Sequence, residues 1–126
     1  MKGKDTLNTF YSEGDKIFSG KVTILINYST ASAAELLASA LRYYYKSKII
    51  GENSFGKGLL HNFFPLGDAN YLSIPVGKMF SLDGTDILKS GLSPDIHFKS
   101  NIVNEFDEHI NEDEIIIKAS EIILNN

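Results

Sequence analysis

Two short apolar runs, Val22-Thr-Ile-Leu-Ile26 and Lys48-Ile-Ile50, flank a helical pattern, and this arrangement limits the fold more than any other feature of the chain. Runs of this kind, rich in β-branched residues and only a few positions long, read as buried strands. Between them, Leu36, Leu37, Ala40, Leu41 and Tyr44 recur at helical spacing, which predicts a helix from Ala33 to Tyr45 with those five residues as its buried stripe. A strand, a helix and a strand within so short a stretch predict a βαβ unit with parallel strands, and hence an α/β fold.

The rest of the chain adds to that unit. Leu59 to Phe64 reads as an extended segment, Leu66-Gly-Asp-Ala-Asn70 as a turn, and Tyr71 to Phe80 as a returning strand, which together predict a β-hairpin. Asp83-Gly84 marks a further turn, and Gly91-Leu-Ser-Pro-Asp95 a loop that closes the domain. Residues 99–111 are polar and mixed. A C-terminal helix then follows, capped by Asn111, with Glu112, Asp113 and Glu114 in the first turn where the helix dipole favours negative charge. Ile115, Ile116, Ala119, Ile122 and Ile123 give that helix its apolar side. The resulting division is an irregular lead-in over 1–20, a domain over 21–98, and an acidic linker with a helix over 99–126.

Composition rules out several classes of function. The chain has 126 residues, a net charge of −4 and no cysteine. It therefore carries no general attraction to nucleic acid, no disulfide and no thiolate chemistry. His61, His97 and His109 lie far apart, leaving little basis for a metal site. No apolar run approaches the roughly 20 residues needed to span a bilayer, so no membrane span is expected. The polar start, Met1-Lys-Gly-Lys-Asp5, has no signal-peptide core.

Two residues propose chemistry. Ser32 stands at the start of the helix, where Ser32-Ala-Ala-Glu35 forms a capping box that would satisfy orphan N–H groups of the first turn. The same geometry suits a nucleophile. A helix N-terminus offers free N–H donors, and that of Ala33 would hold an oxyanion formed when Ser32 attacks a carbonyl. A serine needs a base, and Lys57, between Gly56 and Gly58, is the candidate. Phe55, Leu59 and Leu60 would supply apolar surroundings that lower the lysine pKa; the other reading of Lys57 is a solvated loop lysine. A third possibility is nucleotide binding, because Gly51-Glu-Asn-Ser-Phe-Gly56-Lys57 matches the opening of a phosphate loop. It lacks the following Ser/Thr, and an extended segment comes next in place of a helix.

Taken together, Ile24-Leu-Ile-Asn27, Ser29-Thr-Ala-Ser-Ala-Ala-Glu35, Ile50-Gly-Glu52 and Phe55-Gly-Lys-Gly58, with the hairpin, Asp83-Gly84 and Gly91-Leu-Ser-Pro-Asp95 in order, make the chain resemble the tail-specific, or carboxyl-terminal processing, serine peptidases. The resemblance covers roughly residues 20–98. It implies a crotonase-like α/β core and extracytoplasmic cleavage of protein substrates near their C-termini without metal or cofactor. Ser32 would be the nucleophile, Lys57 the general base and Ala33 an oxyanion donor. His61 stands where many members carry a glutamine that orients the lysine. In a fully extended chain it would lie ~13 Å from Lys57, so contact would need a fold-back at Gly58. Members of the family also have an upstream half that completes the oxyanion hole, and usually a PDZ domain. The expectation is therefore a C-terminal part of a peptidase domain. The alternative is a non-catalytic assembly module, pairing with another chain or a second copy through exposed sheet edges.

Overall fold

The computed structural model describes residues 11, 13–15, 17–99 and 114–125. Strand β1 (Thr23–Ile26) leads to helix α1 (Ala33–Tyr45) and strand β2 (Lys48–Gly51). Strands β3 (Leu59–Gly67) and β4 (Asn70–Lys78) come next, then a short helix α2 (Ile87–Ser90), strand β5 (Ile96–His97) and helix α3 (Glu114–Asn125). β1 and β2 run parallel with Ile24 opposite Ile49 and Ile26 opposite Gly51, as the βαβ pattern predicts. β5 adds to the other side of β2, also parallel. β3 and β4 form a separate antiparallel hairpin.

Helices cover both faces of the parallel sheet. On one face Ile26, Ile49 and Leu92 pack with Ala38 of α1. On the other, Ile50 packs with Ile115 and Ala119 of α3, edged by Ile96, Phe98, Ile116 and Ile122. Ile49 and Ile50 are neighbours that point to opposite faces, and both are completely buried; each contributes about 1.5–3 kcal/mol by leaving water. The apolar side of α3 thus follows its sequence pattern. Asn111, Glu112 and Asp113, the 99–111 linker (apart from Lys99) and most of the 1–20 lead-in lie outside the described residues.

The face that α1 buries differs from the predicted stripe. Glu35, Ala38 and Ser39 are the buried residues, whereas Leu37 is 61% and Tyr44 72% exposed. The reason is polar. The Ser39 hydroxyl accepts the Leu82 N–H at 2.9 Å, and the Glu35 carboxylate is taken up by a neighbouring loop. Those bonds turn the polar residues inward and leave Leu37 and Tyr44 outward, with Ala40 and Leu41 half-buried between. The helix ends where Lys46 adopts a left-handed conformation (φ 56°) and its N–H reaches back to the Leu41 carbonyl, a C-terminal arrangement that more often uses glycine.

Two elements have no counterpart in the sequence reading. α2 is a single turn capped by Asp86, whose side chain accepts the Leu88 N–H at 3.1 Å. β5 is two residues long and is held by neighbours. Asp95 exchanges bonds with Ile49, its N–H donating to the Ile49 carbonyl and its Oδ2 accepting the Ile49 N–H, both at 2.8 Å. The Phe98 N–H donates to the Gly51 carbonyl at 2.9 Å.

The Asp83-Gly84 turn is pinned to α1. Asp83 accepts the Ser81 hydroxyl and, at 3.0 Å, the Thr85 N–H. Arg42 donates to Asp83 Oδ2 at 3.2 Å and to the Ser93 carbonyl at 3.1 Å. The Ser81 bond first, then the Thr85 bonds, with a smaller contribution from Arg42, lower the Asp83 pKa from 3.8 to about 2. A carboxyl depressed in the folded state adds stability that is fully present above the unfolded value and is lost as pH falls through the folded one. Asp83→Asn is therefore expected to cost a constant amount above about pH 4, and the gap to the wild type is expected to narrow toward pH 2. The side chain is half exposed, so screening keeps the effect small. Urea melts at a series of pH values measure it.

Candidate active site

The strand-to-helix junction is built from local turns. The Thr30 N–H donates to the Asn27 carbonyl at 2.9 Å, the Asn27 N–H to Thr30 Oγ1 at 3.1 Å and the Ser29 N–H to Asn27 Oδ1 at 2.9 Å. Two residues on, Ser32 sits at φ 60° and ψ −121°. An L-residue there costs on the order of 1–3 kcal/mol and persists only where its surroundings over-determine it, as they commonly do at functional sites.

Glu35 is what holds Ser32 there. It completes the predicted capping box, with the Ser32 N–H donating to Oε2 at 2.7 Å. The Ser32 hydroxyl closes its side of the box only loosely and makes no side-chain capping bond of regular geometry. Unlike an ordinary cap, Glu35 is completely buried. It takes three more donors from the loop after β2: the Ser54 hydroxyl at 2.5 Å and Gly56 N–H at 2.8 Å on Oε1, and the Lys57 N–H at 3.0 Å on Oε2. The backbone nitrogens of Ser32 and Lys57 thus meet on one oxygen. That brings the two residues to within the length of a lysine side chain.

The lysine loop is shaped by its glycines. Gly56 has φ +83°, and the Gly58 N–H donates back to the Gly56 carbonyl at 3.0 Å, a tight turn around Lys57. A Cβ on Gly58 would lie 2.8 Å from the Leu88 Cα, so the close approach of α2 requires glycine. The Phe55 N–H donates to the Thr30 carbonyl at 2.9 Å, a second tie between the two segments. Lys57 itself is exposed. Phe55 and Leu60 are 69% and 49% exposed, so the apolar surroundings expected for the lysine do not form among the described residues.

The remaining predicted residues fall as follows. Ala33 is the first residue of α1, and among the described residues its N–H has no acceptor, so the group expected to hold an oxyanion is free to donate. His61 lies on β3 opposite Pro75, beside a register shift, with Nδ1 2.8 Å from Ser73 Oγ. The fold-back occurs at 56–58, before the strand, and pairs His61 with the hairpin partner. The Gly51–Lys57 segment does not form a phosphate loop. Strand β3 follows it, and the Gly56 and Lys57 N–H groups that a phosphate would need are taken by Glu35. Among the described residues no group of three or more His, Asp or Glu could hold a metal ion.

In the sequence Glu35 shows only as part of the capping box, and Ser54 carries no signal of its own. The box spacing was the one available signal; the loop donors come from residues 19 to 22 positions downstream, which no local pattern links to Glu35.

The chain matches peptidase family S41 over residues 1–98, a longer stretch than the motifs alone define. It is 36% identical over 90 residues to a carboxyl-terminal-processing protease of Synechocystis, covering 71% of this chain and 21% of that protein. With the carboxy-terminal processing protease CtpA of Bacillus subtilis it shares 35% identity over 104 residues, covering 75% and 22%. Among solved structures it resembles the photosystem II D1 C-terminal processing protease, with a TM-score of 0.54 and 38% identity over 62% of this chain and 20% of that one. The chain spans about a fifth of the length of these relatives. The family match over residues 1–98, together with relatives at 35–36% identity, shows that the chain belongs to peptidase family S41.

Proposed function

We propose that this chain carries the Ser-Lys dyad of a serine endopeptidase that cleaves proteins near their C-termini, within a crotonase-like core spanning residues 21–98. The observation that carries the reading is the strained Ser32 backbone fastened, through Glu35, to the lysine loop. In this mechanism Ser32 Oγ attacks the scissile carbonyl carbon while Lys57 Nζ takes the hydroxyl proton. The oxyanion is held by the Ala33 N–H at the start of α1. Lys57 then returns the proton to the departing amine as the C–N bond breaks. Water, deprotonated by Lys57, releases the acyl group and restores Ser32. The relatives' names, which speak of carboxyl-terminal processing, support a protein substrate, and the family resemblance supports action outside the cytoplasm.

A second reading, an assembly module, is favoured by the apolar side chains left open on the hairpin. Phe63, Leu66, Tyr71 and Val76 are each more than half exposed, and exposed apolar side chains in such number on one hairpin suit an interaction site. The two readings part at Ser32. The full-length protein is expected to shorten a protein substrate from its C-terminal end, and Ser32→Ala to abolish that shortening; an assembly module is indifferent to the substitution.

A further inference from the structure

We propose that Glu35 and Ser54 form a positioning relay, with Glu35 setting the relation of Ser32 to Lys57 and Ser54 tying that pair to the Gly91–Asp95 loop. The inference rests on the proposed dyad and extends it to residues that touch no substrate. Each oxygen of Glu35 accepts two hydrogen bonds, Ser54 and Gly56 on Oε1, Ser32 and Lys57 on Oε2. Both oxygens therefore act purely as acceptors. A helix cap needs only the Ser32 bond; the other three join α1 to a separate loop.

Ser54 continues the chain of bonds. Its hydroxyl donates to Glu35 and accepts the Leu92 N–H at 2.6 Å. Its own N–H donates to the Leu92 carbonyl at 3.0 Å. Gly91, at φ +64°, packs so closely that a Cβ would lie 2.8 Å from Ser54 Oγ. The loop that closes the domain is thereby fastened through two side chains to the backbone of Ser32 and of Lys57. This gives the Gly91-Leu92 pair a role beyond closing the sheet.

The relay makes a chemical demand that separates it from simple packing. Glutamine has the shape of glutamate but carries an NH₂ in place of one oxygen. Whichever way the amide turns, that NH₂ faces two donors, because both positions are doubly occupied by donors. Aspartate is too short to reach both segments. Glu35→Gln in the full-length protein is therefore expected to lower kcat by ~10²-fold or more, the scale of a misplaced catalytic group. KM is expected to stay within about 3-fold, since no substrate contact is removed. Ser54→Ala is expected to lower kcat about 10-fold, and Ser54→Thr, which keeps the hydroxyl, to recover most of it.

Hydrogen exchange in the same proteins, followed by mass spectrometry, gives a readout independent of turnover. Segments 27–35 and 52–58 are expected to exchange faster in Glu35→Gln while segment 48–51 keeps its protection. Wild-type kcat together with wild-type exchange in Glu35→Gln overturns the relay. Should Glu35→Gln not fold, the Ser54→Ala and Ser54→Thr pair decides: equal kcat in the two also overturns it. If Ser32→Ala retains turnover, the dyad fails and the exchange data alone judge the relay. If Ser32→Ala is inactive while Glu35→Gln and Ser54→Ala match the wild type, the relay alone fails.

Discussion

Lys57→Ala in the full-length protein is expected to reduce peptide turnover by ~10²–10⁴-fold, the contribution typical of a positioned general base, while leaving the melting temperature almost unchanged. The second half of the expectation comes from the structure. The contacts that Lys57 makes in the loop run through its backbone, as an N–H to Glu35 and as the middle of the Gly56–Gly58 turn, and alanine retains both. The side chain is exposed, so its removal opens no cavity. Lys57→Arg sharpens the result. Arginine keeps the charge and the length but cannot lose its proton in a protein. A base role predicts that Lys57→Arg is as inactive as Lys57→Ala, whereas a role in electrostatic attraction of substrate predicts recovery. Steady-state kinetics on one peptide decides between them.

The largest effect on stability is expected at Gly51. This residue closes β2 with φ +130° and pairs with Ile26 of β1. A Cβ there would stand 3.0 Å from the Ile26 carbonyl carbon, and closer still to its oxygen. That oxygen is already the acceptor for the Glu52 N–H at 3.1 Å, and the Gly51 carbonyl accepts the Phe98 N–H. Neither strand can yield without losing a ladder bond on one side of β2. Gly51→Ala combines a forbidden backbone angle with a clash against backbone, and is expected to destabilise by about 3 kcal/mol or more. The same joint lies at the ends of both strands that feed the site, so residual folded protein is expected to be poorly active. Urea unfolding of wild type and variant measures the cost. A shift within about 0.5 kcal/mol, the range of ordinary surface substitutions, would contradict the geometry.

Much of this architecture is visible in local patterns, and most of the exceptions come from partners distant in sequence. The ends of α1 follow from a capping box at Ser32 and a run of good helix formers (Ala-Ala-Glu-Leu-Leu-Ala), so its bounds are read directly. The two core strands follow from β-branched runs, and the hairpin from a turn between extended segments. Elements made by distant partners are not visible in this way. β5 exists because Asp95 and Phe98 bond to β2; α2 is different, a single turn behind its own Asp86 cap and too short to show a helical period. The rotation of α1 has the same origin. Periodicity favours Leu37 and Tyr44 as core residues, but hydrogen bonds from the lysine loop to Glu35, and from Leu82 to Ser39, set the buried face, and Leu37 and Tyr44 stay exposed. At the candidate site, motifs single out Ser32 and Lys57. The glutamate that joins them was hidden in an ordinary cap.

Turnover by Ser32→Ala, measured in the full-length protein against a protein substrate with product masses read at its C-terminal end, tests the proposed dyad most directly. The substitution removes one oxygen and leaves the Ser32 N–H bond to Glu35 intact, so the fold and the lysine loop are expected to persist. Undetectable cleavage at an unchanged melting temperature is the predicted result; cleavage at the wild-type rate would contradict it.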